Sequence, residues 1–228
     1  MRFTAFMFCF LIFCACNANT GKEFTSLAEA LRAPGLVTSL NLRNKELTEL
    51  PEEIGTLVNL ERLNLSGNKL KTLPAVLFKL SKLKYLNLNA NKLTSLSAEI
   101  VGLKNLEELE VGFNSLKELP AEMGSLTKLT RINAARNYLN TLPASMIKLT
   151  SLTIIDLSYN QFITIPDVLT NLKKLKALDM SINKLLTQYP KTLKNLQSLR
   201  ILNIMRTNIT GVKIEELKKW LPDCTIMI

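Results

Sequence analysis

Residues 60–82 read LERLNLSGNKLKTLPAVLFKLSK and residues 83–105 read LKYLNLNANKLTSLSAEIVGLKN, and the two align without a gap. Both follow one phase, L-x-x-L-x-L-x-x-N-x-L-x-x-L-P, with Ser97 standing where the first stretch has Pro74. A 23-residue period of this kind is the mark of a solenoid, in which each copy is one coil that buries its apolar side only against its neighbours. Within the L-x-L core the leucines alternate with polar residues, so a short strand sends them inward and its other side chains outward. Stacked copies then form a parallel sheet. An asparagine at the following turn can bond backbone groups of adjoining coils as a ladder. The leucine-proline step bends the chain away, because proline fixes φ and removes a donor.

Working outward, the phase recurs at Leu106-Leu109-Val111-Asn114, Leu129-Ile132-Ala134-Asn137 and Leu152-Ile155-Leu157-Asn160. A seventh copy runs from Leu175 through Asn183 and carries one extra residue before Tyr189-Pro190. The first copy starts at Val37 and the eighth at Leu199; both lose the asparagine, to Lys45 and Thr207. Atypical end copies are expected of a repeat array. Apolar pairs such as Ile54/Leu57, Leu77/Leu80 and Met123/Leu126 close the outer side at a spacing that suits short helices or 3-10 turns. The expected fold is therefore an α/β curved solenoid with a parallel sheet on the concave face, and nine stacked strands would make an edge of about 40 Å.

The ends need polar caps. Ser26-Leu27-Ala28-Glu29 reads as a capping box opening a short amphipathic helix, with Phe24, Leu27, Ala28 and Leu31 on one face and Pro34-Gly35 ending it. At the other end Glu215 to Leu221 reads as a helix, and Leu221-x-x-Cys224-x-Ile226 as a closing strand in which Cys224 is a buried, inert thiol. The expected organisation is a signal peptide at 1–18, an N-terminal helical cap at 22–36, eight repeats at 37–213 and a C-terminal cap at 214–228.

The leader reading rests on Arg2 followed by a nearly unbroken apolar run from Phe3 to Phe13. That run is shorter than the roughly 20 residues a membrane span requires, and it suits the apolar region of a secretory signal. Phe13-Cys14-Ala15-Cys16 resembles a relaxed lipobox with Cys16 as the acylated residue; cleavage after Ala18 and an uncleaved anchor stay open beside it. The expected location is the outer membrane or cell surface, or the medium, with membrane contact only through a lipid on Cys16.

Composition narrows the chemistry. Hydrophobic residues make up 47% of the chain and aromatic ones only 6%, so the core is tiled mainly from one residue type. There is no histidine, which removes imidazole bases, Ser-His and Cys-His nucleophile pairs and His-based zinc sites. Three of four cysteines fall at Cys9, Cys14 and Cys16, leaving Cys224 alone in the body without a CxxC pair. No cofactor, metal or catalytic residue is expected. The carboxylate pair Glu108/Glu110 would sit on an open sheet face, without the enclosure that shifts a pKa.

The repeated N-K-L, L-P-x-x-I/L and N-L-x-x-L steps resemble the bacterial-type 23-residue leucine-rich-repeat family over roughly residues 37–228. The cysteine-bearing leader and the terminal L-P-D-C-T-I are similar to spirochaete leucine-rich-repeat surface or secreted proteins, including lipoproteins. The resemblance implies a concave face or rim that binds a protein partner, for several such proteins a host-surface or matrix component; such repeats also occur in bacterial effectors fused to ubiquitin-ligase domains, but no catalytic cysteine motif appears here and no enzyme activity is expected.

Candidate contacts lie where copies differ. The uniform column Asn41, Asn64, Asn87, Glu110, Asn133, Asp156, Asp179, Asn203 has two readings, a recognition stripe or the repeat's default polar filling. The variable columns place Phe113, Arg131, Arg136, Tyr138, Ile154, Tyr159, Ile182 and Ile201 in copies four to eight, and aromatic and arginine side chains are the usual anchors of interfaces. A second expectation concerns Lys173, Lys174, Lys176, Lys184, Lys191 and Lys194 around the seventh copy, in a chain of net charge +10. These would form a patch for an anionic glycan or envelope lipid in an envelope-organising protein, unless they are simply a solvated face. Nucleic acid is not an expected partner of an exported chain.

Overall fold

The computed structural model describes residues 22–228, so the leader and Cys16 lie outside the described residues. The described residues form one ten-stranded parallel sheet in strict sequence order. Its strands are β1 (Glu23–Phe24), β2 (Ser39–Asn41), β3 (Arg62–Asn64), β4 (Tyr85–Asn87), β5 (Glu108–Glu110), β6 (Arg131–Asn133), β7 (Ile154–Asp156), β8 (Ala177–Asp179), β9 (Ile201–Asn203) and β10 (Thr225–Met227). From β2 to β8 neighbouring strands pair at an offset of 23 residues, Leu63 opposite Leu86 and Leu86 opposite Leu109. The β8–β9 offset is 24, Leu178 opposite Leu202.

That extra residue is taken up beyond the ladder position. Leu186, buried, stands where Phe162 stands one coil earlier, while Lys184 and Leu185 are squeezed out to solvent. A turn closed by the Leu186 N–H on the Asn183 carbonyl (3.0 Å) absorbs the bulge before it reaches the sheet.

Each coil contributes the same apolar set. Leu129, Ile132, Ala134, Leu139, Met146 and Leu149 are fully buried in one coil, and their counterparts repeat that burial along the array except at Leu47 in the first copy, which is half-buried. The outer side is closed by five-residue 3-10 turns, such as Glu52–Thr56, Ala75–Lys79 and Ala121–Ser125, each preceded by the extended proline that the L-P step supplies. Where serine replaces proline, the Ser97 hydroxyl accepts the Glu99 N–H, so a side-chain cap stands in for the ring.

The asparagine ladder forms as the spacing implied. Asn137 Nδ2 donates to the carbonyls of Val111 (3.0 Å) and Ala134 (3.1 Å), and its Oδ1 accepts the Leu116 N–H (2.9 Å). One buried side chain thus satisfies backbone groups in two coils, groups that burial would otherwise leave unpaired at a cost. Asn68, Asn91, Asn114, Asn160 and Asn183 repeat the pattern. In the last copy Thr207 keeps part of it, its hydroxyl donating to the Ile204 carbonyl.

The caps differ from the sequence expectation. The N-terminal segment is helical for a single turn, α1 (Leu27–Ala30), followed by a 3-10 turn at Pro34–Leu36. Phe24 belongs to β1, a tenth strand lying parallel to β2, because extended backbone there completes the sheet edge and still buries the ring. Ala28 is exposed and Ala30 is the buried alanine; the Ser26 hydroxyl does accept the Glu29 N–H, but the Glu29 carboxylate turns to Lys22. The C-terminal helix, α2 (Val212–Trp220), starts three residues earlier than expected, directly after Gly211 at φ +57°. Cys224 is half-buried rather than a core residue, and it stands directly before β10, the last strand of the described sheet. Partial burial pushes its thiol up to about 11, which keeps it protonated and inert at neutral pH.

Candidate functional site: the concave face and its rim

Three rows of side chains line the open side. The first is the leading residue of each strand: Ser39, Arg62, Tyr85, Glu108, Arg131, Ile154, Ala177 and Ile201. Arg62 stacks on the Tyr85 ring (4.3 Å to the centroid), and Arg131 faces Glu108 (Nε–Oε2 3.8 Å). The Arg62–Tyr85 contact lies among copies that sequence reasoning left out of the patch, although an arginine and a tyrosine one period apart was the available signal.

The second row is the uniform polar column, and the structure assigns it to the backbone. The Oδ1 atoms of Asn64, Asn87, Asn133, Asp156, Asp179 and Asn203 accept the N–H two residues on. Each is an Asx turn that ends its strand. Glu110 is too long for this bond, and the Gly112 N–H is met instead by Asn89 Oδ1 from the preceding coil. The Glu110 carboxylate is held by Asn89 (3.0 Å) and Asn133 (2.8 Å).

The burial of that row corrects one expectation. Glu110, Asp156 and Asp179 are each only 7% exposed, so of the Glu108/Glu110 pair only Glu108 is open to water. Burial raises the Glu110 pKa above the usual carboxylate range. It pushes Asp156 up to about 7, helped by the charge of Asp179 beside it and opposed by the Ser158 hydrogen bonds. Asp156 and Asp179 close their turns, while the Glu110 carboxylate is held by the side-chain amides of Asn89 and Asn133.

The third row stands just before each ladder asparagine, and its backbone is left-handed throughout. Asn44, Ala90, Phe113, Arg136, Tyr159, Ile182 and Arg206 have φ between +53° and +58°, and Gly67 has φ +70°. Glycine and asparagine suit this conformation; a β-branched isoleucine there is a conformational outlier. Relative to glycine, each bulky residue costs on the order of 1 kcal/mol.

Copies four to six nonetheless place Phe113, Arg136 and Tyr159 side by side, and they stack. The Arg136 guanidinium lies 4.8 Å from the Phe113 ring centroid and 3.9 Å from that of Tyr159. Phe113 is 52% exposed, so the stack faces solvent. Gly67 and Asn44 were the sequence signal for the left-handed backbone of this row.

The eight residues expected at a partner site therefore divide. Phe113, Arg136, Tyr159 and Ile182 form a continuous rim, and Arg131, Ile154 and Ile201 belong to the first row on the strands. Tyr138 stands two residues past Arg136, just beyond the ladder, and is 52% exposed. The lysines divide between the two ends of β8 and the convex turn. Lys191 and Lys194 lie on the convex turn Lys191–Asn195, Lys173, Lys174 and Lys176 lead into β8, and Lys184 sits past the ladder beyond the other end of that strand. Lys173 Nζ reaches the Asn195 carbonyl (3.5 Å) at the end of the turn that carries Lys191 and Lys194, whereas Lys184 stands apart from them.

Residues 36–113 and 112–224 match the leucine-rich repeat region family. The chain belongs to the leucine-rich-repeat family. The solved structure of a leucine-rich-repeat protein of Leptospira interrogans is 32% identical and superposes with a TM-score of 0.74, covering 90% of this chain and 58% of that one. An internalin of Listeria monocytogenes is 20% identical with a TM-score of 0.73, covering 92% and 59%, and shares the fold. This leucine-rich-repeat chain thus spans somewhat under three-fifths of the length of either structure. No curated protein matches it. Among the described residues no helix is long and apolar enough to cross a membrane, and no cluster of His, Cys, Asp and Glu suits a metal ion.

Proposed function

We propose that the protein is an exported leucine-rich-repeat scaffold of the spirochaete surface type, that it binds a protein partner through the rim of copies four to seven, and that it is not an enzyme. The observation that carries this reading is the exposed Phe113–Arg136–Tyr159 stack on left-handed backbone. A fold that retains aromatic and arginine side chains where glycine would be more stable holds them for something other than stability. Such side chains are the residues that dominate interface energetics. Ten strands at about 4.8 Å spacing give an edge of roughly 43 Å, room for a standard interface of about 800 Å² per partner.

Similarity to the Leptospira protein supports the spirochaete assignment, and the leader with Cys16 supports export with a lipid anchor. A host-surface or matrix protein is the partner class that fits an exported scaffold. A photo-crosslinking residue at position 138 tests the rim against the same residue at position 191 on the convex side, in intact cells. A discrete crosslinked protein from 138 and not from 191 is expected. Crosslinks from 191 alone would refute the rim. Palmitate labelling that disappears in Cys16→Ala is expected of the anchor, and labelling that persists would dismiss it.

A further inference from the structure

We infer that the rim is an acidic-peptide reader, in which the guanidinium of Arg136, clamped between Phe113 and Tyr159, and that of Arg206 take carboxylates of an extended partner segment. This rests on the rim reading above and names the chemistry of the partner.

Three observations converge on it. First, Arg136 and Arg206 make no ion pair and no side-chain hydrogen bond among the described residues, although the structure pairs Lys22, Lys69, Lys84, Arg131 and Lys218 with carboxylates. Second, the Arg136 Cζ lies over both rings, 4.8 Å from the Phe113 centroid and 3.9 Å from that of Tyr159, so cation–π contact on two sides restrains the guanidinium. A planar fork held in this way is pre-organised for bidentate bonding to a carboxylate. Third, the nearby acids do not compete. Asp156 and Asp179 are committed to the amides of Ser158 and Ser181, and Glu110 to Asn89 and Asn133.

Spacing adds a register. Arg136 and Arg206 occupy the same left-handed position three coils apart, about 14 Å at ordinary strand spacing. An extended segment rises about 3.4 Å per residue, so carboxylates four residues apart reach both. Between them lie Tyr159 and Ile182, both half-buried, which offer apolar contact to the middle of the segment. The preferred ligand is thus an extended peptide with acidic residues at i and i+4 and an aliphatic or aromatic residue between.

A displayed library of random dodecapeptides, selected on the purified full chain, tests this. Binders are expected to be enriched in Asp and Glu at i and i+4. A synthetic copy of the best binder with its acids changed to amides should lose about 10- to 100-fold in affinity, the range of hydrogen bonds to a charged group. Arg136→Gln should remove the part of that affinity owed to one carboxylate, and Arg136→Gln with Arg206→Gln should bring the acidic peptide down to the level of the amide peptide. Arg136→Lys should fail to rescue, because an ammonium neither stacks flat nor bonds bidentately. Circular dichroism verifies that the exposed-residue variants fold. Acidic and amide peptides binding alike, or Lys191→Gln/Lys194→Gln weakening binding as much as Arg136→Gln, would overturn the carboxylate assignment. If peptides without acidic enrichment bind and are lost in Tyr159→Ala, the rim stands and the acidic-peptide inference falls. If no selected peptide is lost in Tyr159→Ala, both fall.

Discussion

Replacing Asp156 by asparagine should stabilise the protein at neutral and alkaline pH and leave it nearly unchanged in acid. Asp156 and Asp179 occupy directly opposed positions on β7 and β8, and each is only 7% exposed. Burial and then the Asp179 charge push the Asp156 carboxyl from 3.8 up to about 7. A raised carboxyl pKa means that the folded chain holds a proton the unfolded chain releases. Stability from this group is therefore greatest below about pH 4, falls as pH rises toward 7, and levels off above. A rise of about three units corresponds to about 4 kcal/mol, which is a ceiling on the penalty. Asparagine removes the charge and keeps the geometry. The same position in the adjoining coil is Asn133, whose Oδ1 accepts the Ala135 N–H as Asp156 accepts that of Ser158, and whose Nδ2 donates to Glu110. An amide at 156 can treat Asp179 in the same manner, as Asn203 already does from the other side (2.9 Å).

The expected gain for Asp156→Asn is roughly 2–4 kcal/mol at pH 8 and within about 0.5 kcal/mol of zero at pH 4, given that order of penalty. Urea unfolding at the two pH values, read as a shift of midpoint at constant slope, measures it. A gain of equal size at both values would refute the ionisation argument. Coupling supplies a second check, because part of the penalty belongs to the pair. Asp156→Asn and Asp179→Asn together should stabilise by less than the sum of the two.

Three further outcomes follow from the coils. Asn137→Ala strips the Leu116 N–H and the Val111 and Ala134 carbonyls of a partner and should cost about 3 kcal/mol in urea unfolding, whereas the exposed Asn140→Ala should stay within about 0.5 kcal/mol. Gly102→Ala places a Cβ against the Phe78 carbonyl oxygen, between two stacked convex turns, and should lower stability by about 1–3 kcal/mol; Gly35, with open space around it, should tolerate alanine or gain up to about 1 kcal/mol. Tyr189→Phe retains the edge-on packing against Trp220 but loses the hydroxyl contacts to the Lys213 carbonyl and Glu216 (both 2.8 Å), so hydrogen exchange over residues 212–220 should quicken while exchange in the central strands does not change.

How far the sequence could be read depended on whether a feature was written in one coil or arose between coils. The leucines, the asparagine ladder and the sheet order were legible because every copy states them again in the same phase. β1 was not, since Glu23–Phe24 has no repeat around it and becomes a strand only because β2 offers an unpaired edge. Membership of a rim row was legible from the period alone, which aligns Phe113, Arg136 and Tyr159. Their stacking was not, because it depends on side chains leaving a left-handed backbone one strand spacing apart. The buried carboxylates were hidden for a related reason. Asn and Asp fill the polar column interchangeably as turn formers, and the pattern does not carry how deeply the sheet encloses them.

The rows differ in what a substitution would disturb, and this locates the freedom to evolve a binding surface. A ladder asparagine satisfies backbone in two coils at once, and a core leucine touches the coils on either side, so change there propagates. The second strand row is tied to turn closure through its Asx bonds. The residue before the ladder is different: its backbone is held left-handed by bonds that do not involve its side chain, the Arg136 N–H on the Ser158 carbonyl (2.9 Å) and the Tyr159 N–H on that of Ser181 (2.9 Å). Any side chain placed there is presented outward on a backbone that the neighbouring coils have already fixed, at a strain of on the order of 1 kcal/mol. The array can bear that strain in several copies because each coil is restrained from both sides. The scaffold thus dictates the conformation of this row and leaves the side chain's chemistry free, which is the reason the proposed recognition surface is placed on Phe113, Arg136, Tyr159, Ile182 and Arg206.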